Sequence, residues 1–131
     1  MAAEYRVLVV DACDETHEVL RTALGDQGVD VIATRNSAHG LSLTRAYQPD
    51  LIVLDLETDG STAVAVGRLA AESAARATPL LVLGATRRDR SCLAGCEFVR
   101  KPYHYAPLIR KIEELLGEVV DGARRRVAKA A

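Results

Sequence analysis

The sequence lacks the features that would direct a chain to a membrane, a secretory route or a nucleotide. No apolar run reaches about 18 residues, so no segment reads as a membrane-spanning helix. The opening stretch, MAAEYRVLVVD, does not have the basic-then-apolar layout of a signal peptide. Charge of one sign is lacking as well. Seventeen Lys+Arg stand against 18 Asp+Glu, a net −1, which gives no overall attraction to nucleic acid or anionic membrane. Cysteine is scarce and odd in number, at Cys13, Cys92 and Cys96. A chain of this length buries roughly two-thirds of its unfolded surface and needs no disulfide or structural metal. A reducing, cytoplasmic compartment is therefore expected. No GxGxxG follows the first strand-like run, where VVDACDE stands instead, and no Gly-Lys-Ser/Thr loop occurs. Both absences argue against a dinucleotide-binding enzyme and against a nucleotide kinase or phosphatase.

What is present is the composition of one globular domain: 131 residues, 49% hydrophobic and 27% charged. Four short apolar runs read as strands, at residues 6–10 (RVLVV), 29–33 (VDVIA), 51–54 (LIVL) and 80–83 (LLVL), with 97–100 (EFVR) as a weaker fifth. The third and fourth are unbroken apolar runs, as expected of strands covered on both faces. Helical spacing fills the gaps. Residues 15–27 carry Val19, Leu20, Ala23 and Leu24, with Asp14 as the expected N-cap and Gly28 as the stop. Residues 37–47 start on a capping serine, and residues 61–73 carry Val64, Ala65, Leu69 and Ala71. The last helix begins near Tyr105, with Leu108, Ile109, Ile112, Leu115, Leu116 and Val119 on one face. This βα alternation predicts an α/β fold, a parallel sheet between two helical layers. The 14 residues after Gly117 carry a net +2 and leave −3 on the rest. They read as a fraying helix end or as a basic contact, and are too few for a DNA-binding or enzymatic output domain.

Ligands of open α/β sheets bind beyond the C-terminal strand ends. There the first strand delivers Asp11, the third Asp55 and then Glu57, and the fifth Lys101-Pro102. Two carboxylates facing a lysine suit a phosphoryl group. An aspartate serves as nucleophile toward phosphorus, a cation holds the equatorial oxygens, and acidic neighbours hold Mg²⁺.

At these residues the chain resembles the receiver domain of two-component response regulators. VLVVDA, PDLIVLDL, the DG before the third helix, PLLVLGA and FVRKPY carry the resemblance, which spans residues 5–116. It implies a flavodoxin-like (βα)5 three-layer sandwich with parallel strand order 2-1-3-4-5, over a domain at residues 4–117. A basic tail or helix extension would then occupy 118–131. It also implies that Asp55 is the phospho-acceptor, Asp11 a metal-binding acid and Lys101 the phosphate-contacting lysine. Pro102 matches the proline that follows that lysine, and Phe98 matches the aromatic switch position. A sensor histidine kinase or phosphotransfer protein would be the donor, and a downstream protein the output partner. The face of the last strand and helix offers a surface for a homodimer. No enzymatic activity is implied beyond self-phosphorylation and dephosphorylation at Asp55.

The departures fall in the pocket. Ala12 replaces the family's second acid, and Gly84 replaces the switch Ser/Thr. Only Leu56, Glu57 and Thr58 separate Asp55 from Asp59-Gly60, and the stretch from Ala85 to Gly95 leaves room for a fourth helix of about two turns. Mg²⁺ sites use one or two carboxylates with phosphate and water, so Asp11 and Asp55 suffice for weak binding. The missing donor at Gly84 removes about 1.5–3 kcal/mol of hydrogen bonding to phosphate. Glu57 reads either as a substitute metal ligand or as a solvated loop acid, and Asp14 as a helix cap. Cys13 reads as a small residue packed in the strand–helix turn or as a reactive thiol beside the pocket. Cys92 and Cys96 lack the partners of a zinc set, and His17, His39 and His104 read as surface residues. The rival to a phosphorylated receiver is a phosphorylation-independent interaction module. Ala12 and Gly84 favour the module; Asp11, Asp55 and Lys101 oppose it.

Overall fold

The computed structural model describes residues 5–57, 63–84 and 96–130. In chain order these form β1 (Tyr5–Val10), α1 (Asp14–Gly25), β2 (Val29–Thr34), α2 (Ser37–Tyr47) and β3 (Leu51–Asp55). There follow α3 (Ala63–Ala75), β4 (Leu80–Gly84), β5 (Glu97–Arg100) and α4 (Tyr105–Ala130). The strands make one parallel sheet in the order β2-β1-β3-β4-β5. This is the flavodoxin-like order expected from the resemblance.

Alternation along each strand divides the core between the two faces of the sheet. Val7, Val9, Leu51, Val53, Leu81 and Leu83 point toward Leu20 and Leu24 of α1 and Leu108, Ile112 and Leu115 of α4. Leu8, Val10, Ile52, Leu54, Leu80 and Val82 point the other way, toward Val66 and Leu69 of α3, with Leu41 and Leu43 of α2 at the margin. Every residue of β3 and β4 is buried. Their unbroken apolar sequences thus reflect a two-sided environment. Burying each such Val or Leu stabilises the fold by about 1.5–3 kcal/mol before chain entropy is counted.

Several local readings change. The N-cap of α1 is Cys13, without a side-chain cap, while Asp14 sits in the helix and bonds Arg35 at 2.6 Å. An arginine close at hand outcompetes the helix amides for that carboxylate. The cap of α2 is Asn36, whose Oδ1 accepts from the N–H groups of Ala38 and His39, and Ser37 is buried inside the helix. α1 stops at Gly25, with Gly28 (φ 79°) in the turn that follows. In α3 the buried positions are Val66, Leu69 and Ser73, whereas Val64 is 64% exposed. Cys13 is exposed rather than packed. α4 continues through the basic stretch to Ala130. The Ala85–Gly95 segment, the Asp59-Gly60 pair, Ser61 and Cys92 lie outside the described residues.

Candidate functional site

The parallel sheet brings one end of every strand to the same edge, and the candidate residues lie there. Asp11 follows β1 directly, and its N–H donates to the Thr34 carbonyl at 3.0 Å. Asp55 is the last residue of β3, Gly84 the last of β4, and Lys101 follows β5. The Lys101 N–H donates to the Gly84 carbonyl at 2.9 Å, so the lysine backbone continues the ladder. The Lys101-Pro102 peptide is cis, and the lysine side chain turns back over the sheet edge.

Lys101 Nζ lies 2.7 Å from Asp55 Oδ1 and 3.2 Å from Glu57 Oε2. The Glu57 N–H also donates to Asp55 Oδ1, at 2.8 Å, so two donors converge on that one oxygen. Asp11 is 1% exposed and Asp55 7%. Asp11 Oδ1 accepts the Cys13 N–H at 2.8 Å, whereas Asp11 Oδ2 is buried with no hydrogen-bond partner among the described residues. A buried carboxylate oxygen left unpaired costs about 1–3 kcal/mol or more.

Burial raises the pKa of the Asp11 carboxyl. The Asp55 charge pushes it the same way, against the Cys13 N–H and the Lys101 charge. For Lys101, burial acts to lower the pKa. The bonds and charges of Asp55 and Glu57 outweigh it, and the net shift is upward. The lysine therefore remains a cation beside two carboxylates. Burial likewise pushes up the Tyr103 phenol, reinforced by the charges of Asp11 and Asp55.

Asp11, Asp55 and Lys101 thus meet at one edge as their order in the chain implies. Ala12 is half-buried beside Asp11, and Phe98 is half-buried against the Leu8–Leu54 core layer. Pro102 is exposed. Glu57, with its side chain 63% exposed, is both solvated and engaged, and its partner is Lys101. Among the described residues no three His, Cys, Asp or Glu side chains gather as a metal-holding cluster. A divalent cation nevertheless fits the chemistry of the donors. Asp11 Oδ2 is a buried carboxyl oxygen unpaired among the described residues, and Asp55 supplies a second carboxylate.

Two features escape the sequence reading. His17 is buried, with its Nε2 2.7 Å from the Asp11 carbonyl oxygen. The signal was available, because His17, Leu20 and Leu24 share a stripe at i, i+3 and i+7. Thr16 and Tyr105 bond through their hydroxyls at 3.2 Å, and Tyr105 meets Tyr103 edge-to-face with centroids 6.2 Å apart. Nothing in local spacing joins residues 16 and 105, because the contact is made by the fold.

Comparison with known proteins bears on this geometry. No family model matches the chain. The transcriptional regulatory protein CseB of Streptomyces coelicolor is 30% identical over 139 residues, covering 100% of this chain and 58% of CseB. The polar-differentiation response regulator DivK of Brucella anthropi is 26% identical over 118 residues, covering 86% of this chain and 96% of DivK. The chain therefore spans little more than half of CseB but nearly all of DivK. Among solved structures, the chemotaxis response regulator CheY4 of Vibrio cholerae superposes with a TM-score of 0.72 at 19% identity, over 85% of this chain and 98% of that one. That likeness shows the fold. The sequence relatives point the same way: the chain is similar to response regulators and has the fold of a receiver domain.

Proposed function

We propose that the chain works in two-component signalling by accepting a phosphoryl group on Asp55. The observation that carries this reading is Lys101 Nζ held 2.7 Å from Asp55 Oδ1 at the sheet edge, beside a buried Asp11 with one carboxylate oxygen unpartnered. A carboxylate oxygen of Asp55 forms the new O–P bond as the P–N bond to a donor phosphohistidine breaks. The electron pair leaves on the imidazole nitrogen of the sensor kinase or phosphotransfer protein. Lys101 then faces phosphoryl oxygens as the transferring charge arrives. Asp11 and Asp55 are the residues to hold Mg²⁺, with Glu57 the further acid within the loop. When bound, the cation offsets the negative charge that carboxylates and phosphoryl oxygens place together. Ala12 and Gly84 make that binding weak and its coupling to a conformational switch loose. The output is a change in protein contacts, with the β5–α4 face as the surface for a downstream partner or a second copy. The setting is the cytoplasm, and no catalysis on a separate substrate is included.

The test is a small phosphodonor with Mg²⁺, read by intact mass. A species heavier by one phosphoryl group is expected, and it disappears in Asp55→Ala. No such species, or one that survives Asp55→Ala, overturns the reading. A phosphorylation-independent interaction module is the second reading. It is favoured by the double grip of Asp55 and Glu57 on Lys101, which engages two of the lysine's three donors without a phosphoryl group. Under that reading, Mg²⁺ with beryllium fluoride leaves the NMR signals of Asp55 and Lys101 unmoved.

A further inference from the structure

The loop from β1 to α1 holds its acid with very little. Asp11 Oδ1 takes one N–H, from Cys13, and Oδ2 takes none. A histidine in the first turn of α1 secures the backbone beneath that carboxylate. The His17 N–H lies 3.3 Å from the Cys13 carbonyl, and its ring Nε2 lies 2.7 Å from the Asp11 carbonyl. A carbonyl oxygen only accepts, so Nε2 carries the proton in this contact. His17 therefore grips the three-residue connection at both ends, from a side chain that is 7% exposed as a residue. The Asp11 carbonyl and the Ala12 N–H share one peptide plane. Fixing that carbonyl fixes the direction in which the chain reaches Cys13, and with it the amide that orients the Asp11 carboxylate.

We infer that His17 is a positioning residue for the cation and phosphoryl site. Its Nε2–H anchors the Asp11 carbonyl, so that the Asp11 carboxylate is held in a fixed place. The role rests on the site reading given above, and it follows from the loop's sparse bonding. Position 12 is Ala rather than an acid, so only Asp11 reaches the cation from this loop, opposite Asp55, and its own placement matters more. Carboxylates that hold metals depend on such outer contacts, and losing one typically weakens binding by about 10–100-fold. Burial alone does not explain a histidine here. An apolar residue would fill the stripe with Leu20 and Leu24 but would leave the Asp11 carbonyl without this donor.

His17→Leu and His17→Gln separate the donor from the packing, because the glutamine amide nitrogen sits near the place of Nε2. Two measurements are made on the whole chain: Mn²⁺ affinity by paramagnetic titration, and hydrogen exchange of the Cys13 amide without metal. His17→Leu is expected to bind Mn²⁺ about tenfold more weakly and to exchange the Cys13 amide faster. His17→Gln is expected to restore both toward wild type. Equal Mn²⁺ affinity and equal Cys13 exchange in wild type and His17→Leu overturn the inference. So does equal loss in both variants, which is the mark of packing alone. Failure of the wild-type chain itself to bind Mn²⁺, with Asp11→Asn indistinguishable from it, overturns the cation site and this role with it.

Discussion

At Asp11 the proposed cation role and stability pull apart. The pKa of its carboxyl is raised from the ordinary value because burial and the Asp55 charge oppose ionisation. A carboxyl with a raised folded-state pKa holds its proton more tightly in the native chain than in the unfolded one. Its stabilising contribution is complete below the unfolded-state pKa and is lost as pH climbs through the folded value. Above that folded value Asp11 therefore works against the fold. Asp11→Asn keeps an oxygen for the Cys13 N–H and removes the charge. It is expected to raise stability by about 1 kcal/mol near pH 7, with the gain shrinking as pH falls toward the unfolded carboxylate range. Urea denaturation at the two pH values reads the difference. The same variant is expected to lose the proposed divalent-cation binding, so the two readouts move in opposite directions.

At the scale of elements, α2 is held by one cap and one close approach. Asn36 Oδ1 satisfies two of the helix's free amides. Asn36→Ala is expected to cost about 1 kcal/mol by chemical denaturation. One turn later α2 crosses β1 so closely that a Cβ at Gly40 would lie 2.8 Å from Val10 Cγ2. Val10 is fully buried and has little room to yield, so Gly40→Ala is expected to destabilise by about 1–3 kcal/mol. These elements also show what a one-dimensional reading recovers. The strands emerge within a residue or so of their observed limits, because short apolar runs between turn residues have few alternatives. Caps are harder. Asp14 and Ser37 have the right chemistry, but Arg35 claims the first and burial the second, and both outcomes depend on neighbours distant in space. Val64 was expected at a buried position and Val66 holds it, because a helix rich in alanine and valine offers more than one apolar stripe.

For the molecule as a whole, strand order follows from the motif residues, and Asp11, Asp55 and Lys101 meet as their positions require. The contacts that finish the pocket were less legible. His17 lies beneath Asp11, Thr16 against Tyr105 and Glu57 on Lys101, and each depends on side-chain directions set by packing.

Asp55 ends a central strand buried along its whole length, whereas Lys101 follows β5, a four-residue edge strand with an exposed end at Glu97 and Arg100. The two halves of the pocket thus hang from parts of the fold with different local opening free energies. Native-state hydrogen exchange at low urea is expected to show β5 amides exchanging through sub-global opening and β3 amides only through global unfolding. Comparable protection in both strands would remove the gradient. With it, the edge strand acts as a fuse: the Lys101–Asp55 pair can disconnect and reform while the rest of the sheet stays folded.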